Sequence, residues 1–172
     1  MSDSTLLDAI AILADWRRIR AFSCIALLRM GEDAATEYDL HAEPNHSSYL
    51  CVERITGRRF SYDDYARTRE TAGLPDAAVP YQFNSEMWAA RLAFPMSLNI
   101  WGRPGDTYRM VEASRTDDLI HVRLEAPSHP GLEGILIVDE KHGIARELDT
   151  PELSLQYRNI QQPVPNRFWP RS

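Results

Sequence analysis

The stretch that decides the fold opens with TYRMVEASRTDDLIHVRLEAP, residues 107–127, and continues to residue 160. Within it, short runs alternate apolar with polar residues, as at Ile120, Val122 and Leu124, and turns separate one run from the next. Successive side chains of a β-strand point to opposite faces, so each run predicts a strand with one apolar face. The C-terminal half therefore predicts an antiparallel sheet that buries one of its faces.

The remaining runs of this half follow the same alternation, with one exception. They are Tyr108 with Met110, Ile144 with Leu148, and Leu153 with Leu155 and Tyr157. The exception is the continuous apolar run 135–138, which predicts a strand covered on both faces. Together these runs predict five strands.

The N-terminal half predicts one helix and a short meander. Residues 5–16 carry apolar side chains at helical spacing and predict an amphipathic helix. Residues 19–30 carry apolar side chains at both odd and even positions. We favour a strand there over a continuation of the helix. Residues 36–43 and 48–55 alternate more clearly, so the three segments predict a meander of about three strands.

The middle of the chain predicts helical structure. Ser61 is positioned to cap a short helix that ends at Gly73. A loop follows over residues 74–82, and Asn84 can then cap a second helix that Pro95 ends. We therefore predict an α+β fold, in which a curved antiparallel sheet carries an N-terminal amphipathic helix and a central helical insertion.

Length, composition and charge fit a single domain. The chain has 172 residues, of which 44% are apolar and 26% charged, so we predict one α+β domain over residues 1–162 and a Pro-rich tail over 163–172. The net charge of -6, without a basic patch, argues against a nucleic-acid partner. No apolar run approaches the roughly 18 residues of a membrane span.

The N-terminal residues and the cysteines indicate the cellular compartment in which we expect the protein. The first residues follow an amphipathic helical pattern, which differs from the cationic and then continuously apolar pattern of a signal peptide. The only cysteines are Cys24 and Cys51, which we expect to be two buried thiols in a reducing environment. We therefore expect a cytoplasmic protein.

The C-terminal half resembles a known superfamily. Residues 107–127 and the sequence GLEGILIVDEKHGIARELDTPELSLQYRNI, residues 131–160, are similar to the paired strands and Asp-containing turn of the bacterial LolA-like lipoprotein carriers. The order of predicted elements is also similar, and the central helix with Trp88 resembles the lid helix of those carriers. The resemblance implies an open half-barrel whose concave apolar face holds an acyl chain or a segment of another protein. Those carriers are exported proteins.

A cluster of large apolar residues is the candidate ligand site under this resemblance. We predict that an apolar small molecule, or an extended peptide, contacts Trp88, Phe94, Trp101, Tyr108 and Met110. Ordinary core packing uses the same residue types, so a packed core is the competing interpretation.

The alternative hypothesis is a protein-interaction module, such as an intracellular regulator, an immunity-type inhibitor or an assembly subunit. Phe168 and Trp169 follow Pro163 and Pro165 in the tail. Exposed aromatic side chains in a Pro-rich segment are good anchors for a partner, so we predict that this pair binds one. The sequence leaves the oligomeric state open.

Catalytic, metal and cofactor sites are not predicted. The group His41, Glu43 and His46 matches no metal signature and is typical of solvated polar residues on an edge strand. The run Asp139–Gly143 is typical of a charged turn, in which Gly143 supplies a positive φ. We therefore expect a protein that is not an enzyme, with no cofactor.

Overall fold

The computed structural model describes residues 2–76 and 87–168. Within these ranges one α-helix, α1, spans Ser2–Ala14. The strands are β1 (Phe22–Met30), β2 (Thr36–Glu43), β3 (Ser48–Glu53), β4 (Arg59–Asp63), β5 (Thr68–Thr71), β6 (Leu74–Asp76), β7 (Arg109–Thr116), β8 (Leu119–Glu125), β9 (Glu133–Asp139), β10 (Ile144–Asp149) and β11 (Leu153–Gln161). Short 3-10 helices span Trp16–Arg18, Pro44–His46, Trp88–Ala93 and Pro95–Ser97.

All eleven strands form one antiparallel sheet, in the order β6-β5-β4-β3-β2-β1-β11-β10-β9-β8-β7. The sheet thus consists of two meanders, β1 to β6 and β7 to β11. The pairing of β1 with β11, from Ser23 opposite Gln161 to Met30 opposite Leu153, joins them. The predicted α+β class and antiparallel sheet are confirmed, and the sheet is open because β6 and β7 lie at opposite ends of the strand order.

One face of the sheet is buried and the other is not. On β8, Ile120, Val122 and Leu124 are fully buried and join a core to which α1 and the Trp88–Ala93 helix contribute. We call this side the covered face. The residues between them, such as His121, lie on the opposite side, which we call the open face. The alternation predicted for the C-terminal half is confirmed.

The prediction of a doubly covered strand at residues 135–138 is wrong. Leu136 and Val138 on β9 are buried in the core, but the side chain of Ile135 is 50% exposed on the open face. Continuous apolar runs are typical of parallel strands between two layers of helices. Among the described residues helices cover one face only, and the side chain of Ile135 lies on the other face with half of its surface exposed.

The helix predicted between Ser61 and Gly73 is also wrong, because this segment forms the hairpin of β4 and β5. The carboxylate of Asp63 accepts hydrogen bonds from the backbone N–H groups of Tyr65 and Ala66 and closes a turn. Arg67 has a φ of 57°, which ends any helical path. Acidic residues suit turns as well as helix N-termini, and here the turn prevails.

The predicted elements of the N-terminal half are confirmed. The helix expected over residues 5–16 is α1, the strand expected over 36–43 is β2, and those expected over 19–30 and 48–55 are β1 and β3.

In the middle of the chain, part of the loop predicted over 74–82 is β6. The predicted cap Asn84 lies outside the described residues. From Trp88 onward the chain forms 3-10 helices, so the helical insertion is small. Among the described residues, no helix is long and apolar enough to cross a membrane.

Tyr157 on β11 fixes the helical insertion to the sheet. Its side chain is fully buried, and its hydroxyl donates a hydrogen bond to the carbonyl oxygen of Ala89 at 2.9 Å. The same hydroxyl accepts a hydrogen bond from the backbone N–H of Ala93 at 3.2 Å. One phenol therefore satisfies two backbone groups of the 3-10 helix inside the core.

We expect Tyr157→Phe to lower the free energy of unfolding by about 1–3 kcal/mol, because two buried backbone groups lose their partner. Urea denaturation measures this change. The control is Tyr65→Phe at a side chain that is 68% exposed, where the change should stay within about 0.5 kcal/mol. Equal effects of the two substitutions would contradict the anchoring role of Tyr157.

Candidate functional site

The predicted ligand-binding residues lie on the covered side but do not share one cavity. Phe94 is fully buried and packs edge-on against Trp16, with ring centroids 5.7 Å apart. Trp101 is half-buried, and its indole N–H donates to the carbonyl oxygen of Pro95 at 2.9 Å. Met110 is half-buried against the core. These three residues therefore pack against the core and do not line a common cavity.

Trp88 and Tyr108 do meet, in a mainly apolar pocket of about 150 Å³ between the 3-10 helices and the ends of β10 and β11. The guanidinium of Arg91 lies 3.6 Å from the centre of the Trp88 ring. The Tyr108 hydroxyl donates to the Glu152 carboxylate at 2.7 Å. Trp88, Tyr108 and Glu152 therefore line the pocket with an aromatic ring and a hydrogen-bonded pair.

The pKa values of Tyr108 and Glu152 are both shifted from their ordinary values. Burial, together with the negative charge of Glu152, raises the pKa of Tyr108 to about 12. For Glu152, burial raises the pKa, but the hydrogen bond from Tyr108 and smaller contributions outweigh it, and the pKa is lowered. The pair therefore holds a neutral phenol against an ionised carboxylate at neutral pH.

The size of this pocket limits what the covered face can hold. Sites for small molecules usually have about 300–1,000 Å³, and the pocket between Trp88 and Tyr108 has about 150 Å³. A second cavity on this side, beside Trp16, is smaller still at about 10 Å³. Neither of these two pockets has room for more than one side chain or a small apolar group.

The open face carries a larger groove, of about 790 Å³, which runs from the middle of β7 and β8 to the start of β9 and the end of β10. Ile135 contributes an exposed apolar surface to it. Arg123 forms part of its rim and lies 3.4 Å from Glu112 and 3.3 Å from Glu133. A further ion pair, Arg29 with Asp149 at 3.7 Å, lies at its edge. We call this feature the open-face groove.

The pattern of residues 135–138 does not reveal this groove, because a continuous apolar run predicts a strand covered on both faces. The signal that could reveal it is the cross-strand register of charges. Glu112 lies opposite Arg123, and Arg123 lies opposite Ile135. An isoleucine surrounded by charged neighbours on one face indicates a surface site rather than core.

The tail docks on the sheet near the start of β1. The backbone N–H of Val164 donates to the carbonyl oxygen of Ala21 at 2.9 Å. Phe168 is half-buried, and its ring centroid lies 6.5 Å from that of His41. Glu43, expected to be solvated, is completely buried beneath this segment. Trp169, the second predicted partner-binding residue, lies outside the described residues.

The remaining polar groups form structural contacts. Asp139 accepts hydrogen bonds from the backbone N–H of His142 at 3.0 Å and contacts its Nδ1 at 2.8 Å, and Gly143 has a φ of 69°. The predicted charged turn is confirmed.

Cys24 and Cys51 are buried free thiols, as expected, and burial raises the pKa of both thiols. No group of three or more potential metal ligands occurs among residues 2–76 and 87–168.

Comparisons with known proteins place the fold. No family model matches the sequence, and no curated protein matches it. A crystal structure of MucB is similar over 92% of this chain and 59% of its own, at 11% identity and a TM-score of 0.50. The MucA/MucB complex structure from Pseudomonas aeruginosa matches over 96% of this chain and 59% of the other, at 12% identity and a TM-score of 0.51.

This chain therefore spans about three fifths of the length of the solved chains that it matches. At such low identity the likeness concerns the fold alone. It shows that this chain shares the fold of those structures and assigns the chain to no family, so the LolA-like resemblance of the C-terminal half stays a prediction.

We expect Tyr108→Phe to move the pKa of Glu152 back up toward its ordinary value of 4.5, because the carboxylate loses its phenol donor. Carboxyl carbon shifts in an NMR pH titration measure this pKa. The change should be confined to Glu152, with the exposed Glu133 as internal reference. An unmoved Glu152 titration would contradict the assigned hydrogen bond.

Proposed function

We propose that this chain is a non-enzymatic binding protein that holds an extended segment of another protein in the open-face groove. The observation that carries the proposal is the exposed Ile135 side chain among charged residues, in a groove of about 790 Å³. That volume lies within the usual range for ligand sites, whereas the pocket on the covered face lies below it.

The composition of the groove suits a polypeptide better than a lipid. Protein interfaces have an apolar centre and a polar rim. Ile135 supplies such a centre, and Arg123 with Glu112 and Glu133 supplies the rim. Those side chains are 42%, 59% and 58% exposed, so their mutual ion pairs contribute little and can be exchanged for pairs with a partner.

The comparison structures support a role in protein binding. One of the solved structures compared above is a complex of MucA with MucB, so a protein with a similar fold does bind another protein. We propose the same general role here, while the surface that this chain uses is argued from its own groove.

An acyl chain in the covered face, which the resemblance implies, is the competing function. The pocket between Trp88 and Tyr108 is its only structural support among the described residues, and about 150 Å³ is enough for a short apolar group rather than a long chain. We therefore favour the polypeptide.

Native mass spectrometry of the freshly purified chain tests the competing function. We expect the mass of the polypeptide alone, because the covered face is filled by its own side chains. A retained fatty acid or lipid, released by organic extraction and lost in Trp88→Ala, would instead support the acyl-chain function.

A substitution in the groove tests the proposed function. Peptides selected from a random display library against the full chain should bind Ile135→Arg at least about tenfold more weakly, because the apolar centre of the interface is lost. Isothermal titration calorimetry measures the affinities. Since Ile135 is half-exposed, the free energy of unfolding should change by no more than about 0.5 kcal/mol.

The matched control is Ile55→Arg, at an isoleucine that is 89% exposed between β3 and β4. It makes the same chemical change away from the groove, so the selected peptides should bind it as they bind the parent chain. Failure to select any peptide, or equal binding to all three proteins, would reject the open-face groove as a binding site.

A further inference from the structure

Glu43, the last residue of β2, is a buried carboxylate whose main partners come from the tail. Its side chain is completely buried. Its Oε1 atom accepts hydrogen bonds from the backbone N–H groups of Arg167 and Phe168, the latter at 3.2 Å. Oε1 also lies 2.9 Å from Nε2 of His41. The other oxygen, Oε2, has no hydrogen-bond partner among the described residues.

This arrangement is a form of peptide recognition. A buried carboxylate is costly unless it is paired or hydrogen-bonded, and charged acceptors form the stronger hydrogen bonds. Two successive backbone N–H groups converge here on one oxygen of Glu43. Backbone groups are common to all polypeptides, so the same carboxylate can accept them from any segment that follows the same path.

The tail itself lies on the protein as an extended peptide does in a binding site. From Pro163 to Phe168 its residues are alternately exposed and half-buried, with Val164, Asn166 and Phe168 on the half-buried side. It belongs to no strand, and Pro163 and Pro165 have no N–H to give to a ladder. Apart from the Glu43 contacts, Val164 binds the backbone of Ala21 and Phe168 contacts His41.

We propose that Glu43 and His41 form a binding site for an extended peptide segment, and that residues 164–168 are its intramolecular ligand. The site is separate from the open-face groove, which Arg29 lines at the other end of β1. The proposal therefore stands or falls independently of the function proposed for that groove.

Charge makes the docking of the tail dependent on pH. Burial raises the pKa of Glu43, but the N–H of Arg167, His41 and the N–H of Phe168 together outweigh it, so the pKa is lowered. His46 also feels the charge of Glu43, although burial lowers its pKa. Because the docked carboxylate has the lower pKa, docking is favoured above the ordinary value of 4.5 and weakens as the pH falls through the lowered value.

Hydrogen–deuterium exchange of the full chain tests the site. Glu43→Gln keeps an acceptor oxygen but removes the charge, so the amides of residues 164–168 should exchange about tenfold faster than in the parent chain. The control Glu37→Gln changes an exposed carboxylate on the same strand and face, and should leave the tail unchanged. Equal protection of the tail in both variants would overturn the proposal.

Two further exchange experiments use the parent chain, so they test the site even if the Glu43→Gln variant does not fold. Lowering the pH toward 3 should release the tail, with exchange corrected for intrinsic rates, while the amides of β8 stay protected. An acetylated and amidated peptide with the sequence of residues 162–168 should also speed tail exchange once it exceeds about 1 mM, the effective concentration of a segment on a short linker. A peptide of scrambled sequence is its control. If the tail amides lose protection only together with those of β8, or if the competing peptide does not change their exchange, the tail is part of the packed core. Either result would overturn the proposal.

Discussion

The pairing of β1 with β11 is the interaction on which the rest of the structure depends. It joins a strand that begins at Phe22 to one that ends at Gln161, so the centre of the sheet brings together the two ends of the chain. Closing so long a loop costs entropy that only extended burial can offset. Neither meander alone provides that burial, because α1 precedes the first meander along the chain and packs mainly on β7 and β8 of the second. Folding of the two halves is therefore coupled, and the position of the tail follows from it, since a chain that leaves β11 must cross the start of β1.

The contrast between the two faces then determines where binding is possible. The covered face is close-packed. At Gly134 on β9, for example, an added Cβ atom would lie 2.8 Å from Cγ2 of Thr150 and 2.9 Å from the carbonyl oxygen of Asp149. Such packing leaves little space for a guest. In residues 2–76 and 87–168 no layer of helices lies above the open face, so its half-buried apolar side chains and its ion pairs are the surfaces that a second molecule can reach. A sheet whose covered face is filled by its own core residues is thus better suited to bind on its open face.

The sequence predicts most strands because an alternating pattern is local. Residues 36–43 give β2 without any knowledge of the rest of the chain, and Ile120, Val122 and Leu124 mark the buried side of β8. Alternation along one strand does not say which face receives helices, so the exposure of Ile135 is visible only once the charged residues of the neighbouring strands are placed beside it. The acidic turn at Asp63 has the composition of a helix start, and only pairing with β5 distinguishes the two. The Glu43 site was beyond prediction for another reason: its backbone donor at Arg167 lies 124 residues away along the chain.

The way in which the tail is held argues for reversible docking. A permanently buried segment is most stable when apolar side chains anchor it. Replacing buried charges with well-packed apolar groups often leaves the protein as stable as before or makes it more stable. Here the anchor is a carboxylate with one oxygen satisfied by the tail and His41 and the other without a partner among the described residues. Undocking costs the hydrogen bonds to one oxygen but lets water solvate both. Docking therefore depends on the balance of these opposing terms, and a change in the charge of Glu43 shifts that balance.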